Sequence, residues 1–211
     1  GLPSNIQTFF TPEMTELSSV PNNILAAPIK FVIETETGTE ELKPISFSYI
    51  SKTAGTIRWT AVSASQGIKL EVTGSLEFDG FVAYQVKLSA TENIKVKDIS
   101  MILPFNKEAG VYMMGLGQKG GYRPSSYYWK WDVANKNQDG AWIGNVNAGL
   151  QFSLRDEKYI RPLNTNFYLQ KPLLLPSSWG NDGKGGINIM DTGKYISVIN
   201  YSGNRELKKG D

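Results

Sequence analysis

Residues 68–84 read Ile68-Lys69-Leu70-Glu71-Val72-Thr73-Gly74-Ser75-Leu76-Glu77-Phe78-Asp79-Gly80-Phe81-Val82-Ala83-Tyr84. Ile68, Leu70 and Val72 alternate with Lys69, Glu71 and Thr73, a period of two that gives a strand one buried and one wet face. Asp79-Gly80 then separates two apolar runs, and both positions tolerate the positive φ of a tight hairpin turn. The stretch therefore predicts two antiparallel strands joined by a short turn.

The same pattern extends in both directions. Ile29, Phe31 and Ile33 alternate with Lys30 and Glu34, and Ile45, Phe47 and Tyr49 alternate with Ser46 and Ser48. A further strand is expected from Ile94 to Leu103, stopped by Pro104. Alternation resumes at Leu150, Phe152 and Leu154, at Ile187 and Ile189, and from Tyr195 to Tyr201. No window of a dozen residues carries a 3.6 period, and Pro12 to Leu17 has room for one short helical turn. The expected fold is all-β: a mostly antiparallel two-sheet β-sandwich, supersandwich-like, with long Gly/Trp-rich loops. With 211 residues and neither an internal repeat nor a low-complexity linker, the expected organisation is a lead-in over residues 1–28 and a single sandwich domain over 29–211.

Composition narrows the chemistry. The 22 basic and 20 acidic side chains leave a net charge of +2, with no electrostatic footprint for nucleic acid or an anionic membrane. No apolar run approaches the roughly 18 residues of a membrane span. There is no cysteine, so disulfides, thiolate metal sites and cysteine nucleophiles are excluded. There is no histidine, so the usual general base and the commonest zinc ligand are missing, and Ser-His-Asp or zinc-hydrolase mechanisms are excluded for this chain acting alone. Carboxylate chemistry, lysine chemistry and binding remain. No catalytic residue, metal site or cofactor is expected.

Gly115-Leu116-Gly117-Gln118-Lys119-Gly120 spells G-x-G-x-x-G, but Gly121-Tyr122-Arg123-Pro124 follows and no helix can start there. Without a helix N-terminus to hold a pyrophosphate the motif has no dinucleotide mechanism. The glycines are expected to permit a bend or bulge where two backbones approach closely. Around them Tyr122, Tyr127, Tyr128, Trp129, Trp131 and Trp142 interleave with Arg123, Lys130, Asp132 and Asp139. Flat rings beside charged and amide groups suit a sugar, which has apolar C–H faces and a hydroxyl rim. The candidate carbohydrate-binding set is Lys119, Tyr122, Arg123, Trp129, Trp131, Asp132, Asp139 and Trp142. The competing reading puts both indoles of Trp129-Lys130-Trp131 on one face, filling the core. Asp132 and Asp139 are the close acidic pair of the segment, and a carboxylate-based glycosidase needs two such groups at a set separation. The sequon Asn200-Tyr201-Ser202 has meaning only in a eukaryotic secretory host.

Several segments together resemble a known family. They are Leu76-Glu77-Phe78-Asp79-Gly80, Ile99-Ser100-Met101-Ile102-Leu103-Pro104, Met114 to Pro124, Trp129-Lys130-Trp131-Asp132, Gln138 to Gly144, Arg161 to Tyr168 and Gly183-Lys184-Gly185-Gly186. The chain is similar, over about residues 30 to 200, to the N-terminal β-sandwich of bacterial glycoside hydrolases related to family 123, the β-N-acetylgalactosaminidases. The resemblance implies a non-catalytic accessory domain cut off before a (β/α)₈ barrel that carries an adjacent Asp-Glu pair. Asp156-Glu157 is the one such dipeptide here and lies within the sandwich, so that role is not carried onto it. The implied partners are the barrel of the same parent chain and a glycan carrying N-acetylhexosamine. The implied location is periplasmic or extracellular, with a signal peptide already removed. A purely structural docking module is the alternative.

Overall fold

The computed structural model describes residues 1–10, 16–131, 140–160 and 174–210. Strand makes up 61% of the described residues and helix 4%, so the fold is all-β as expected. The chain divides into two compact units: Gly1–Pro3, Val32–Ile99 and Asn204–Asp211 form one, and Ser4–Phe31 with Ser100–Gly203 form the other.

The first unit contains a four-stranded antiparallel meander, in order Lys43–Lys52, Thr56–Ala64, Ile68–Glu77 and Val82–Ala90. The 68–84 hairpin forms as expected. Leu76 pairs with Val82, and the Phe81 amide is held by the Asp79 carboxylate at 2.9 Å. Gly80 has φ +86°, a conformation open to glycine without steric cost. Ile68, Leu70 and Val72 are buried, and Ile68 joins Ile33 and Val96 in a small core. Each such buried side chain contributes about 1.5–3 kcal/mol. Trp59 lies over Gly74, where any Cβ would collide with its ring, and its indole N–H donates to the Gly1 carbonyl at 2.8 Å.

The second unit is a two-sheet sandwich. One sheet runs in the order Gln118–Tyr122, Tyr112–Gly115, Gly140–Gly144, Gly149–Ser153. The other includes Ser126–Lys130, Gly186–Asp191, Ile196–Tyr201 and the second half of Ile94–Phe105. Between them lie Met113, Ala141 and Ile143 from the first sheet and Leu103, Phe105, Trp129, Ile187, Ile189, Ile196 and Val198 from the second. Gln7–Phe10 pairs antiparallel with Leu17–Asn23 in a separate two-stranded sheet. The single helical turn expected over Pro12 to Leu17 falls mostly outside the described residues, and Leu17 itself begins a strand.

The strand expected to end before Pro104 instead runs through it to Phe105, with Pro104 opposite Ser197. Proline lacks only a donor; its carbonyl still accepts the Ala26 amide at 2.9 Å. The glycine-rich stretch also forms strand over Tyr112–Gly115, Gln118–Tyr122, Ser126–Lys130 and Gly140–Gly144. Its alternation is hard to see because the inward positions are apolar and several outward ones are glycine or aromatic. The sequon asparagine sits on Ile196–Tyr201 fully buried, donating to the Met101 carbonyl at 3.2 Å, so its amide faces no solvent.

Candidate functional site

The G-x-G-x-x-G segment is a β-hairpin. Leu116 and Gly117, with φ of +52° and +86°, form the two-residue turn between Tyr112–Gly115 and Gln118–Tyr122. Positive φ at both central positions is the hairpin geometry that matches strand twist. Gly115 has φ +109°, and a Cβ there would collide with the Gly140 carbonyl oxygen of the neighbouring strand. The register shifts between Met113 and Gly115, so the glycine marks the expected irregularity and close backbone approach.

This hairpin and its neighbours give the sheet two unlike faces. Met113 pairs with Ile143, and both face the core. On the other face Tyr112 pairs with Tyr122 and Gly144, while Met114 pairs with Trp142, which pairs with Gln151. The Trp142 indole lies across Gly144 and Gly149. A Cβ at Gly149 would come within 2.6 Å of the ring, and one at Gly144 closer still. Glycine at both positions leaves the ring room to pack closely against the sheet. The Tyr112 and Tyr122 rings sit 5.0 Å apart, tilted by 38°. The neighbouring Tyr122 side chain, chiefly through a hydrogen bond, pushes the Tyr112 phenol above its ordinary value. Tyr122 is 81% exposed and Met114 52%. An outward sheet face is ordinarily polar; this one carries an indole, two phenols and a thioether.

The structure separates the sequence-predicted residues into different environments. Tyr122 and Trp142 share the outward face just described. Lys119 is exposed on the strand after the turn. Trp129 and Trp131 are buried, with rings 4.9 Å apart at 72°, and Trp131 meets Tyr159 edge-on at 5.9 Å. Neither indole presents a face to solvent, so the core-filling alternative describes their positions. Arg123 is turned inward. Its Nε donates to the Gly110 carbonyl at 2.9 Å, its Nη1 to the Pro124 carbonyl, and its Nη2 lies 3.7 Å from Asp191 Oδ2. Asp132 and Asp139 lie outside the described residues. Tyr112, Met114 and Gln151 join the face without having been singled out. The signal available was the pair Tyr112 and Met114 at strand spacing, masked by apolar Val111 and Met113 beside them.

The one Asp-Glu dipeptide has a structural job. Asp156 Oδ2 accepts from the Ser178 amide and the Ser177 hydroxyl, each at 3.1 Å, and Oδ1 accepts the Lys158 amide at 3.1 Å. It thereby caps the helical turn Ser177–Gly180 from a distant part of the chain. Partial burial raises its pKa, but the Ser178, Ser177 and Lys158 bonds outweigh that and hold the carboxyl below its ordinary value. Asp156→Asn is expected to cost about 1 kcal/mol at neutral pH. A carboxyl depressed in the folded state stabilises above its unfolded pKa and loses that contribution as pH falls through the folded value. Urea melts of the two proteins are therefore expected to converge in acid.

Among the described residues no group of three or more acidic side chains could hold a metal ion, and no helix is long and apolar enough to cross a membrane. No curated protein matches the chain. A family model described as "Glycoside hydrolase 123, third domain" matches residues 1–211, the whole length. The chain belongs to this family. The glycoside hydrolase 123 domain is counted third in that description, where the resemblance had placed the sandwich first, before the barrel. Within this family domain Asp156 caps a turn, and the sheet around Trp142 carries aromatic side chains on its outward face.

Proposed function

We propose that this chain is a non-catalytic accessory domain of a glycoside hydrolase. It supports the catalytic barrel of the parent protein and contacts carbohydrate through the face formed by Tyr112, Met114, Tyr122, Trp142 and Gln151. The observation that carries this reading is the half-buried Trp142 indole packed against Gly144 and Gly149 on the outward side of a sheet. An indole there can stack on the C–H face of a pyranose, while the Tyr112 and Tyr122 hydroxyls and the Gln151 amide supply donors and acceptors to its rim. A bacterial periplasmic or extracellular location belongs to the same reading, since glycans are met there.

The test is a titration of the chain with oligosaccharides ending in N-acetylhexosamine, followed by tryptophan fluorescence. A saturable change is expected in the wild type. It should be lost in Trp142→Ala and kept in Tyr128→Ala, whose ring is exposed on the other sheet of the same unit. No saturable change with any such glycan would leave the purely structural docking module as the reading. Release of free sugar by the purified chain, abolished in Asp132→Asn or Asp139→Asn, would instead establish the carboxylate-based hydrolase.

A further inference from the structure

Arg123 closes the open end of the hairpin that carries Tyr112 and Tyr122. Its backbone N–H donates to the Val111 carbonyl at 2.9 Å, and the Val111 N–H donates in turn to the Gly144 carbonyl at 3.1 Å. Its guanidinium bonds the Gly110 carbonyl through Nε at 2.9 Å and the Pro124 carbonyl through Nη1. The side chain is 8% exposed, which leaves those donors out of a ligand's reach. The rest of the strand holds Tyr122 weakly. Gln118–Tyr122 is the edge of its sheet, Gly120 and Gly121 precede the tyrosine, and nothing lies within 4 Å of a Cβ built at Gly121. Glycines inside a strand leave it soft, with no side chains to pack.

We propose, on the reading that this face contacts carbohydrate, that Arg123 is its positioning residue: it fixes Tyr122 beside Tyr112 and touches no sugar itself. Gly110 lies two residues before Tyr112, and Pro124 lies two residues after Tyr122. One planar guanidinium bonded to both carbonyls therefore ties together the two chain segments that carry the ring pair. The fork is specific to arginine, since a lysine ammonium is a single point of donors and cannot replace Nε and Nη1 at once. Asp191 adds less to the hold. Its Oδ2 lies 3.7 Å from Nη2 and is shared with Lys107 at 3.4 Å, while its Oδ1 accepts the Gly193 amide at 2.8 Å. With the two rings held 5.0 Å apart before a ligand arrives, binding has fewer side chains to order, and that ordering would otherwise cost affinity.

The hold is read by the cross-peak between the Tyr112 and Tyr122 rings in a nuclear Overhauser spectrum of the whole chain. Arg123→Lys keeps a charge beside Asp191 and is expected to lose the cross-peak with an unchanged circular dichroism spectrum. The same variant should bind oligosaccharides ending in N-acetylhexosamine about tenfold more weakly than the wild type. Arg123→Gln is expected to behave alike and takes its place if the lysine variant does not fold. Asp191→Asn leaves both carbonyl bonds in place and should keep the cross-peak. A cross-peak retained in a folded Arg123 variant, or glycan affinity equal to wild type once it is lost, would overturn the proposal. A cross-peak lost as expected in a protein whose wild type binds no such glycan would instead overturn the carbohydrate reading of the face, with the hold of Arg123 on Tyr122 upheld.

Discussion

Replacing Gly115 by alanine is expected to cost about 2–6 kcal/mol, enough to move the urea midpoint far below that of the wild type. Two effects add. A non-glycine residue at φ +109° carries backbone strain of roughly 1–3 kcal/mol. The new Cβ also meets the Gly140 carbonyl oxygen and comes within 2.9 Å of the Ala141 Cα, both on a neighbouring core strand, and overpacking costs about another 1–3 kcal/mol. Gly121→Ala is the control. It has φ +139° but nothing within 4 Å of its would-be Cβ, so the strain alone applies. Equal losses in the two variants would show that the close approach of the two strands is not what requires glycine.

The second large effect separates the indoles. Trp129 is 2% exposed, and Trp129→Ala is expected to lose about 3–5 kcal/mol of stability, as deletion of a large buried ring does. Trp142→Ala removes a ring that lies on the outside of its sheet, so its loss in stability should be clearly smaller. Denaturant melts measure both. A Trp142 variant as unstable as the Trp129 variant would mean that the outward face is in truth a packing surface, and the carbohydrate reading would lose its main support.

These contrasts mark what was legible in the sequence. The Ile68–Tyr84 hairpin was, because a two-residue period and an Asp-Gly turn are local signals that tertiary packing did not override. The passage of a strand through Pro104 was not, because it depends on which neighbour needs the missing donor. Trp129-Lys130-Trp131 announced that two indoles share a face, but not which face, since a core and a sugar platform both call for flat rings. Arg123 looked like a free cation beside aromatics; its inward turn depends on the Gly110 carbonyl and on Asp191, far away along the chain. The glycines at 144 and 149 gave no sign of their role, which emerges only once the Trp142 ring is seen across them.

The five tryptophans give five indole N–H resonances, and their response to glycan tests the central claim most directly. On adding an oligosaccharide ending in N-acetylhexosamine to ¹⁵N-labelled protein, the Trp142 indole signal is expected to move saturably while those of Trp129 and Trp131 stay in place. A Trp142 signal unmoved at millimolar glycan, or a shift that persists elsewhere in Trp142→Phe, would contradict the assignment of this face to carbohydrate.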